Sequence, residues 1–131
     1  MPGTVASVTA GEAMATVKVR LAGGQDVTAA ITTESVKDLG LAEGSEVKIL
    51  VKSTEVSLAT GPVAGVSIRN QIAGTVTDIA AGGAMASVKV DVVGGALTAA
   101  ITKDAVADLK LAAGSSVVAL IKSTEVSLAT A

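Results

Sequence analysis

The sequence has no histidine, no cysteine and no aromatic residue. The absence of cysteine excludes disulfides, thiolate nucleophiles and thiolate metal ligands. The absence of histidine removes the usual general base and the imidazole ligand of many metal sites. The 12 carboxylates are mostly isolated and show no calcium-loop spacing. We therefore expect neither an enzyme nor a site that binds a metal cation directly.

Charge and hydropathy argue against two further classes of partner. The net charge is −2 and the ten lysines and arginines are scattered along the chain, so no basic surface for nucleic acid is expected, and no aromatic ring is available to stack a base. No apolar run approaches the roughly 18 residues that suggest a membrane span, and no leader segment is recognisable. These features predict a soluble cytoplasmic protein without a nucleic-acid or membrane partner.

Internal duplication dominates what the sequence does contain. GTVASVTAGEAMATVKV at residues 3–19 aligns with GTVTDIAAGGAMASVKV at 74–90, and KSTEVSLAT occurs identically at 52–60 and 122–130. The duplication predicts a first repeat, a linker and a second repeat, over residues 1–60, 61–66 and 67–131.

Each repeat is predicted to be mostly β structure. In the first repeat, alternating apolar and polar residues indicate five strands, near residues 4–8, 15–21, 27–31, 47–51 and 56–59. The segment TTESVKDLGL breaks this alternation, with Thr32 as a candidate N-cap and Gly40 placed to end a short helix. The predicted fold class is all-β with one short helix per repeat, as two tandem five-stranded barrels of the OB type.

The core must be built from aliphatic side chains. Half of the residues are hydrophobic and none is aromatic, so valine, isoleucine, leucine, alanine and a few methionines have to fill it. Met14 and Met85 occupy equivalent strand positions and are expected to pack there. Arg20 aligns with Asp91 of the second repeat and is expected to lie at the surface.

One segment, SIRNQIAGTV from Ser67, has a full counterpart nowhere else in the chain. It resembles the Ser-Ala-Arg-Asn-Gln signature that opens a Mop domain, with Ile68 in place of the usual alanine. AAIT, LGL and KSTEV follow in the order and spacing of the same family. The sequence therefore resembles the molbindins, in a tandem form with two Mop/TOBE-type domains, over essentially its whole length. The first repeat lacks the opening residues of the signature.

This resemblance implies a function and an assembly. Molbindins bind molybdate and tungstate in the cytoplasm, and their tandem forms assemble as trimers. We accordingly expect a molybdate- or tungstate-binding protein for storage or homeostasis, without an organic cofactor. It would form a homo-oligomer, with a trimer favoured, and would bind its oxyanions at interfaces between repeats.

The chemistry of these anions agrees with the composition. At neutral pH, molybdate and tungstate are tetrahedral dianions that carry no proton, so every oxygen accepts hydrogen bonds and the site needs donors only. By resemblance, the donors come from the signature, the late KST segment and the start of a helix in a neighbouring repeat: Ser67, Ile68 through its backbone N–H, Arg69, Lys122, Ser123, Thr32 and Ser35.

The two repeats differ at the helix that should supply hydroxyls. With Thr32 as the N-cap, Ser35 occupies the third helical position, beside unpaired amides at the positive end of the helix dipole. In the second repeat, Thr102 is retained but Ala105 replaces the serine. We therefore predict one signature-type pocket per chain, and the sequence leaves open whether its two halves belong to one chain or to two. The candidates for a weaker second site are Lys52, Ser53 and Thr102.

Two other functions are compatible with these features. One is a ligand-sensing regulatory module that reports oxyanion occupancy to a protein partner; the sequence shows no attached DNA-binding or ATPase segment, which weighs against it. The other is a structural or engineered assembly in which the anion site is vestigial. Calorimetry that shows no heat with molybdate or tungstate would favour this last alternative.

Overall fold

The computed structural model describes residues 1–131 as ten strands, two short α-helices and two 3₁₀ helices. The elements of the first sequence repeat are β1 (Pro2–Ala10), β2 (Met14–Leu21), β3 (Asp26–Thr32), α1 (Thr33–Asp38), β4 (Glu46–Val51), a 3₁₀ helix (Ser53–Glu55) and β5 (Ser57–Ala59). Those of the second are β6 (Asn70–Ala81), β7 (Met85–Val92), β8 (Gly95–Thr102), α2 (Lys103–Asp108), β9 (Ser116–Ile121), a 3₁₀ helix (Ser123–Glu125) and β10 (Val126–Thr130). The predicted all-β class with one short helix per repeat is confirmed.

Each of the two sheets has five strands, in an order that permits closure into an OB-type barrel. In the first sheet the order is β10–β4–β1–β2–β3, and all neighbouring strands are antiparallel. β3 also contacts β10, so the two ends of this order come together as in a barrel. The second sheet has the order β5–β9–β6–β7–β8, and β8 contacts β5 in the same way.

The last strand of each sequence repeat belongs to the sheet of the other repeat. β10 pairs with β4, with Val126 opposite Val51, and β5 pairs with β9, with Ser57 opposite Leu120. The two compact units consequently consist of residues 1–51 with 122–131, here called unit 1, and residues 52–121, here called unit 2. The sequence duplication and the compact units therefore differ by an exchange of the two identical KSTEVSLAT segments.

The core of each unit is aliphatic, as expected. On β2, every second residue from Ala15 to Leu21 is buried while the residues between them are exposed. The methionines are an exception to the expectation, because Met14 and Met85 are 49% and 48% exposed. Each is the first residue of its strand and falls on the outward side of this alternation, so neither packs in the core.

The two helices have six residues each and end alike. Neither is long and apolar enough to cross a membrane. After α1, the N–H groups of Gly40 and Leu41 donate to the carbonyls of Lys37 and Val36, which is the Schellman arrangement, and Gly40 has a φ of 63°. Lys110 occupies the equivalent position after α2 with a φ of 53°, and no other non-glycine residue has a positive φ.

Lys110→Gly is expected to raise the free energy of unfolding by about 1 kcal/mol. A side chain at positive φ suffers a steric penalty that glycine avoids, and this outweighs the greater freedom of glycine in the unfolded chain. Gly40→Lys is the matched control and should lower the stability, since the space around Gly40 is open and only the backbone conformation opposes the change. Urea unfolding measures both; a Lys110→Gly protein no more stable than the parent would contradict the strain argument.

Candidate functional site

The start of α1 presents two linked hydroxyls. Thr32 Oγ1 accepts a hydrogen bond from the Ser35 backbone N–H at 3.0 Å, which confirms Thr32 as the N-cap, and donates to Ser35 Oγ at 2.7 Å. Because the two hydroxyls share one hydrogen bond, one of their two protons stays available for an external acceptor.

Backbone contacts with the β1–β2 hairpin hold this helix start in place. The N–H of Thr33 donates to the Ala13 carbonyl at 2.9 Å, and Thr33 Oγ1 donates to the Gly11 carbonyl at 3.0 Å. In unit 2, the N–H of Lys103 makes the same backbone bond to Ala84 at 2.8 Å. The capping threonines are thus fixed relative to their sheets by the fold itself.

The second KST segment lies in the same unit as Thr32 and Ser35. Lys122 is exposed, forms no salt bridge, and precedes the 3₁₀ helix Ser123–Glu125, which contacts β3. The Oγ atom of Ser123 is buried and has no hydrogen-bond partner. An unpaired buried hydroxyl costs about 1–3 kcal/mol, so this atom needs a partner from outside the chain, either an ordered water or a ligand.

The signature residues precede β6 in unit 2. Ser67 and Arg69 are exposed, Ile68 is half-buried, and Asn70, the first residue of β6, is buried. Four of the predicted residues therefore belong to unit 1, and the three predicted signature residues belong to unit 2.

Unit 2 has the counterpart of the Thr32–Ser35 pair, with one hydroxyl fewer. Thr102 caps α2 by accepting from the Ala105 N–H at 3.1 Å, but Ala105 offers no hydroxyl. Lys52 precedes the 3₁₀ helix Ser53–Glu55, which contacts β8. Ser53 has no buried unpaired oxygen, in contrast to Ser123.

The two arginines have different surroundings. Arg20 Nε donates to Asp26 Oδ1 at 3.1 Å, and this hydrogen bond, reinforced by the carboxylate charge, raises the pKa of the Arg20 guanidinium. Both partners are exposed, which agrees with the predicted surface role and makes the pair a weak contributor to stability. Arg69 forms no salt bridge. Glu34, in the first turn of α1, is an acidic neighbour of Ser35 whose charge opposes anion binding there.

Gln71, in the SIRNQ motif, was not among the residues predicted for the site. Gln71 Nε2 donates to the backbone carbonyl of Ile68 at 3.1 Å. The residue was visible as the last letter of the SIRNQ motif, but its partner is a backbone atom, which no side-chain pattern reveals. Within each unit, exposed cations and hydroxyls are groups that can donate hydrogen bonds to an anion with acceptor oxygens.

Comparison with known proteins identifies the family. The TOBE domain profile matches residues 1–58 and 66–128. The chain is 43% identical over 125 residues to the molybdenum-pterin-binding protein MopB of Rhodobacter capsulatus, an alignment that covers 94% of this chain and 46% of MopB. This chain is a tandem Mop/TOBE protein of the molbindin family.

Two further relatives extend the match. MopA of Rhodobacter capsulatus, also a molybdenum-pterin-binding protein, is 37% identical to this molbindin over 128 residues. The molbindin chain spans about half the length of both Rhodobacter proteins, 46% of MopB and 48% of MopA. A crystal structure of the cytoplasmic molybdate-binding protein ModG with molybdate bound matches it with a TM-score of 0.96 and 39% identity, over 99% of this chain and 94% of that chain. This match confirms the fold of two tandem barrel-like domains.

Proposed function

We propose that this molbindin reversibly captures molybdate, and tungstate in the same site, as a cytoplasmic store or buffer that makes and breaks no covalent bond. The observation that carries the proposal is the buried, unpaired hydroxyl of Ser123, which lies in the unit that also holds the Thr32–Ser35 pair and the unpaired cation of Lys122. The similarity to ModG, whose crystal structure contains molybdate, supports the choice of ligand.

The donor set explains why a fully deprotonated dianion would be preferred. Guanidinium, ammonium and backbone N–H groups only donate hydrogen bonds, whereas a hydroxyl can donate or accept. Within this set, the proton of hydrogen phosphate could be accepted only by a hydroxyl oxygen, and a hydroxyl that accepts from the anion no longer donates to it. Sulfate has the same charge as molybdate but is smaller, so discrimination against it depends on the size of the cavity.

We assign the charge of the site to Arg69 and Lys122, and its shape to the hydroxyls. Charge-assisted hydrogen bonds contribute about 1.5–3 kcal/mol each, which has to outweigh the repulsion from Glu34. Ser67, Ser123, Thr32, Ser35 and the Ile68 N–H complete the proposed donor set. We further propose that these groups meet at interfaces in a homotrimer, and that Lys52, Ser53 and Thr102 form a weaker site because Ala105 supplies no hydroxyl.

Titration calorimetry of the full chain with molybdate, tungstate, sulfate and phosphate tests the proposal, with native mass spectrometry counting the anions per assembly. Molybdate and tungstate should bind, and sulfate and phosphate should bind far more weakly. Binding should weaken only modestly with added salt if the pocket is shielded from solvent. No heat with either heavy oxyanion, or equal affinity for all four anions, would contradict the proposal.

Ser123→Ala is expected to change stability and affinity in opposite directions. Removing an unpaired buried hydroxyl should raise the free energy of unfolding of the ligand-free protein by up to about 1–3 kcal/mol, while molybdate affinity falls because a donor is lost. Ser53→Ala, in the identical nonapeptide of unit 2, is the matched control and should bring no comparable gain in stability. Thermal unfolding with and without molybdate measures both effects. A Ser123→Ala protein that is more stable and binds molybdate as tightly as the parent would remove Ser123 from the site.

A further inference from the structure

We infer that Gln71 is a positioning residue for anion capture: it holds the peptide between Ile68 and Arg69 in one orientation, so that the guanidinium is presented without first having to be ordered. The inference rests on the proposed function, because it assigns Gln71 a role in the site to which Arg69 is proposed to contribute. Gln71 itself is not assigned a contact with the anion.

The bond that carries this inference joins a rigid strand to the signature segment. Gln71 lies on β6, the central strand of its sheet, and its backbone is in register with Leu120 of β9. From this position, Nε2 donates to the Ile68 carbonyl at 3.1 Å. Asn70, which separates Arg69 from Gln71, is 2% exposed. The signature segment therefore joins the sheet at the buried Asn70, and the side chain of Gln71 restrains it through this hydrogen bond.

Fixing the Ile68 carbonyl also fixes the start of Arg69. The chain contains no cis peptide bond, so the Ile68 carbonyl and the Arg69 N–H lie in one plane and point in opposite directions. A hydrogen bond to that carbonyl restricts rotation of the whole peptide unit from which the Arg69 Cα departs. Without the bond, ordering of this peptide would have to accompany anion binding and would weaken it.

The exposure pattern places Gln71 beside Arg69 and not in the core. Ile68, Asn70 and Ile72 are half-buried or buried, whereas Ser67, Arg69 and Gln71 alternate with them and are exposed. An exposed glutamine contributes little to the folded state, since surface substitutions away from special features usually change stability by less than about 0.5 kcal/mol. The consequence of losing the Gln71 side chain should therefore appear in binding and not in folding.

The test is a double-mutant cycle between Gln71 and Arg69, with molybdate as the titrant. Gln71→Ala is expected to weaken molybdate binding about three- to tenfold, the range expected for ordering one restrained group, with an unchanged melting temperature of the ligand-free protein. In the Arg69→Ala background, Gln71→Ala should have no further effect, because a positioning residue acts only through the residue that it positions.

Two controls separate positioning from other causes. Thr77→Ala removes another bond from a β6 side chain to a backbone carbonyl, that of Thr77 Oγ1 to Lys89 at 3.3 Å, and should leave molybdate affinity unchanged. Relaxation of the backbone ¹⁵N of Arg69 in the ligand-free protein should show faster or larger motion in Gln71→Ala than in the parent. This second readout requires no ligand and therefore tests the restraint separately from the proposed function.

The outcomes are distinct. Failure of the parent protein to bind molybdate would overturn the proposed function, and unchanged relaxation of Arg69 in Gln71→Ala would overturn the positioning role. If the parent binds and Gln71→Ala binds equally well, Gln71 does not position the site. If Gln71→Ala weakens molybdate binding by the same factor in the parent and in the Arg69→Ala background, the glutamine acts independently of the arginine and the inference is wrong.

Discussion

Replacing Arg69 with alanine is expected to weaken molybdate binding by about one to two orders of magnitude, because a charge-assisted hydrogen bond contributes about 1.5–3 kcal/mol and 1.4 kcal/mol corresponds to a factor of ten. The melting temperature of the ligand-free protein should not change, since Arg69 is exposed and forms no salt bridge. Arg69→Lys should fall between the parent and the alanine variant, because lysine keeps the charge and loses the planar pair of donors. Titration calorimetry measures all three proteins.

The chain provides its own control for this experiment. Arg20 is the other arginine, and it is paired with Asp26 on the surface. Arg20→Ala removes the same charge from the protein and should leave molybdate affinity unchanged. If the two alanine variants lose the same affinity, the effect comes from net charge, and Arg69 has no specific place in the site.

The second large effect concerns the exchanged strands. Val126 and Val56 occupy the same position in the two identical nonapeptides and are 2% and 3% exposed. Replacing either valine with aspartate buries an unpaired carboxylate and should destabilise its unit by several kcal/mol. Val126 belongs to unit 1 and Val56 to unit 2. Val126→Asp should therefore abolish hydrogen-exchange protection in β1 to β4, and Val56→Asp should abolish it in β6 to β9.

Each variant serves as the control for the other. If the final strand of each repeat stayed with its own repeat, the pattern would be reversed, and Val126→Asp would expose β6 to β9. Peptide-resolved hydrogen exchange of the ligand-free protein distinguishes the two results. Loss of protection in β6 to β9 alone on Val126→Asp would contradict the observed pairing of β10 with β4.

Local sequence patterns predicted most of the fold. Alternation located the strands, and the Thr32 cap and Gly40 terminus of α1 were identified correctly because caps and turns depend on neighbouring residues. The strand exchange could not be predicted in this way. The two KSTEVSLAT segments are identical, so nothing in their own sequence specifies which of the two similar sheets each one joins. The expectation that Met14 packs was wrong because Met14, although apolar, is the first residue of β2 and lies on the outward side of the alternation.

In the candidate site, too, the sequence predicted the features that depend on neighbouring residues and not those that depend on distant ones. Thr32 and Ser35 lie close together in sequence, and their hydrogen bonds follow from the cap. The unpaired hydroxyl of Ser123 arises from its surroundings, since Ser53 in the identical segment shows no such atom. The combination of Arg69 and Lys122 in one oxyanion site stays a prediction.

The position of the bound anion can be measured by diffraction from crystals of the full chain grown with tungstate, collected at a tungsten absorption edge. We expect an anomalous peak within hydrogen-bond reach of the Arg69 guanidinium, surrounded only by hydrogen-bond donors, among them Lys122 and Ser123. Tungsten peaks that lie elsewhere, with neither Arg69 nor Lys122 in contact with any of them, would contradict this expectation.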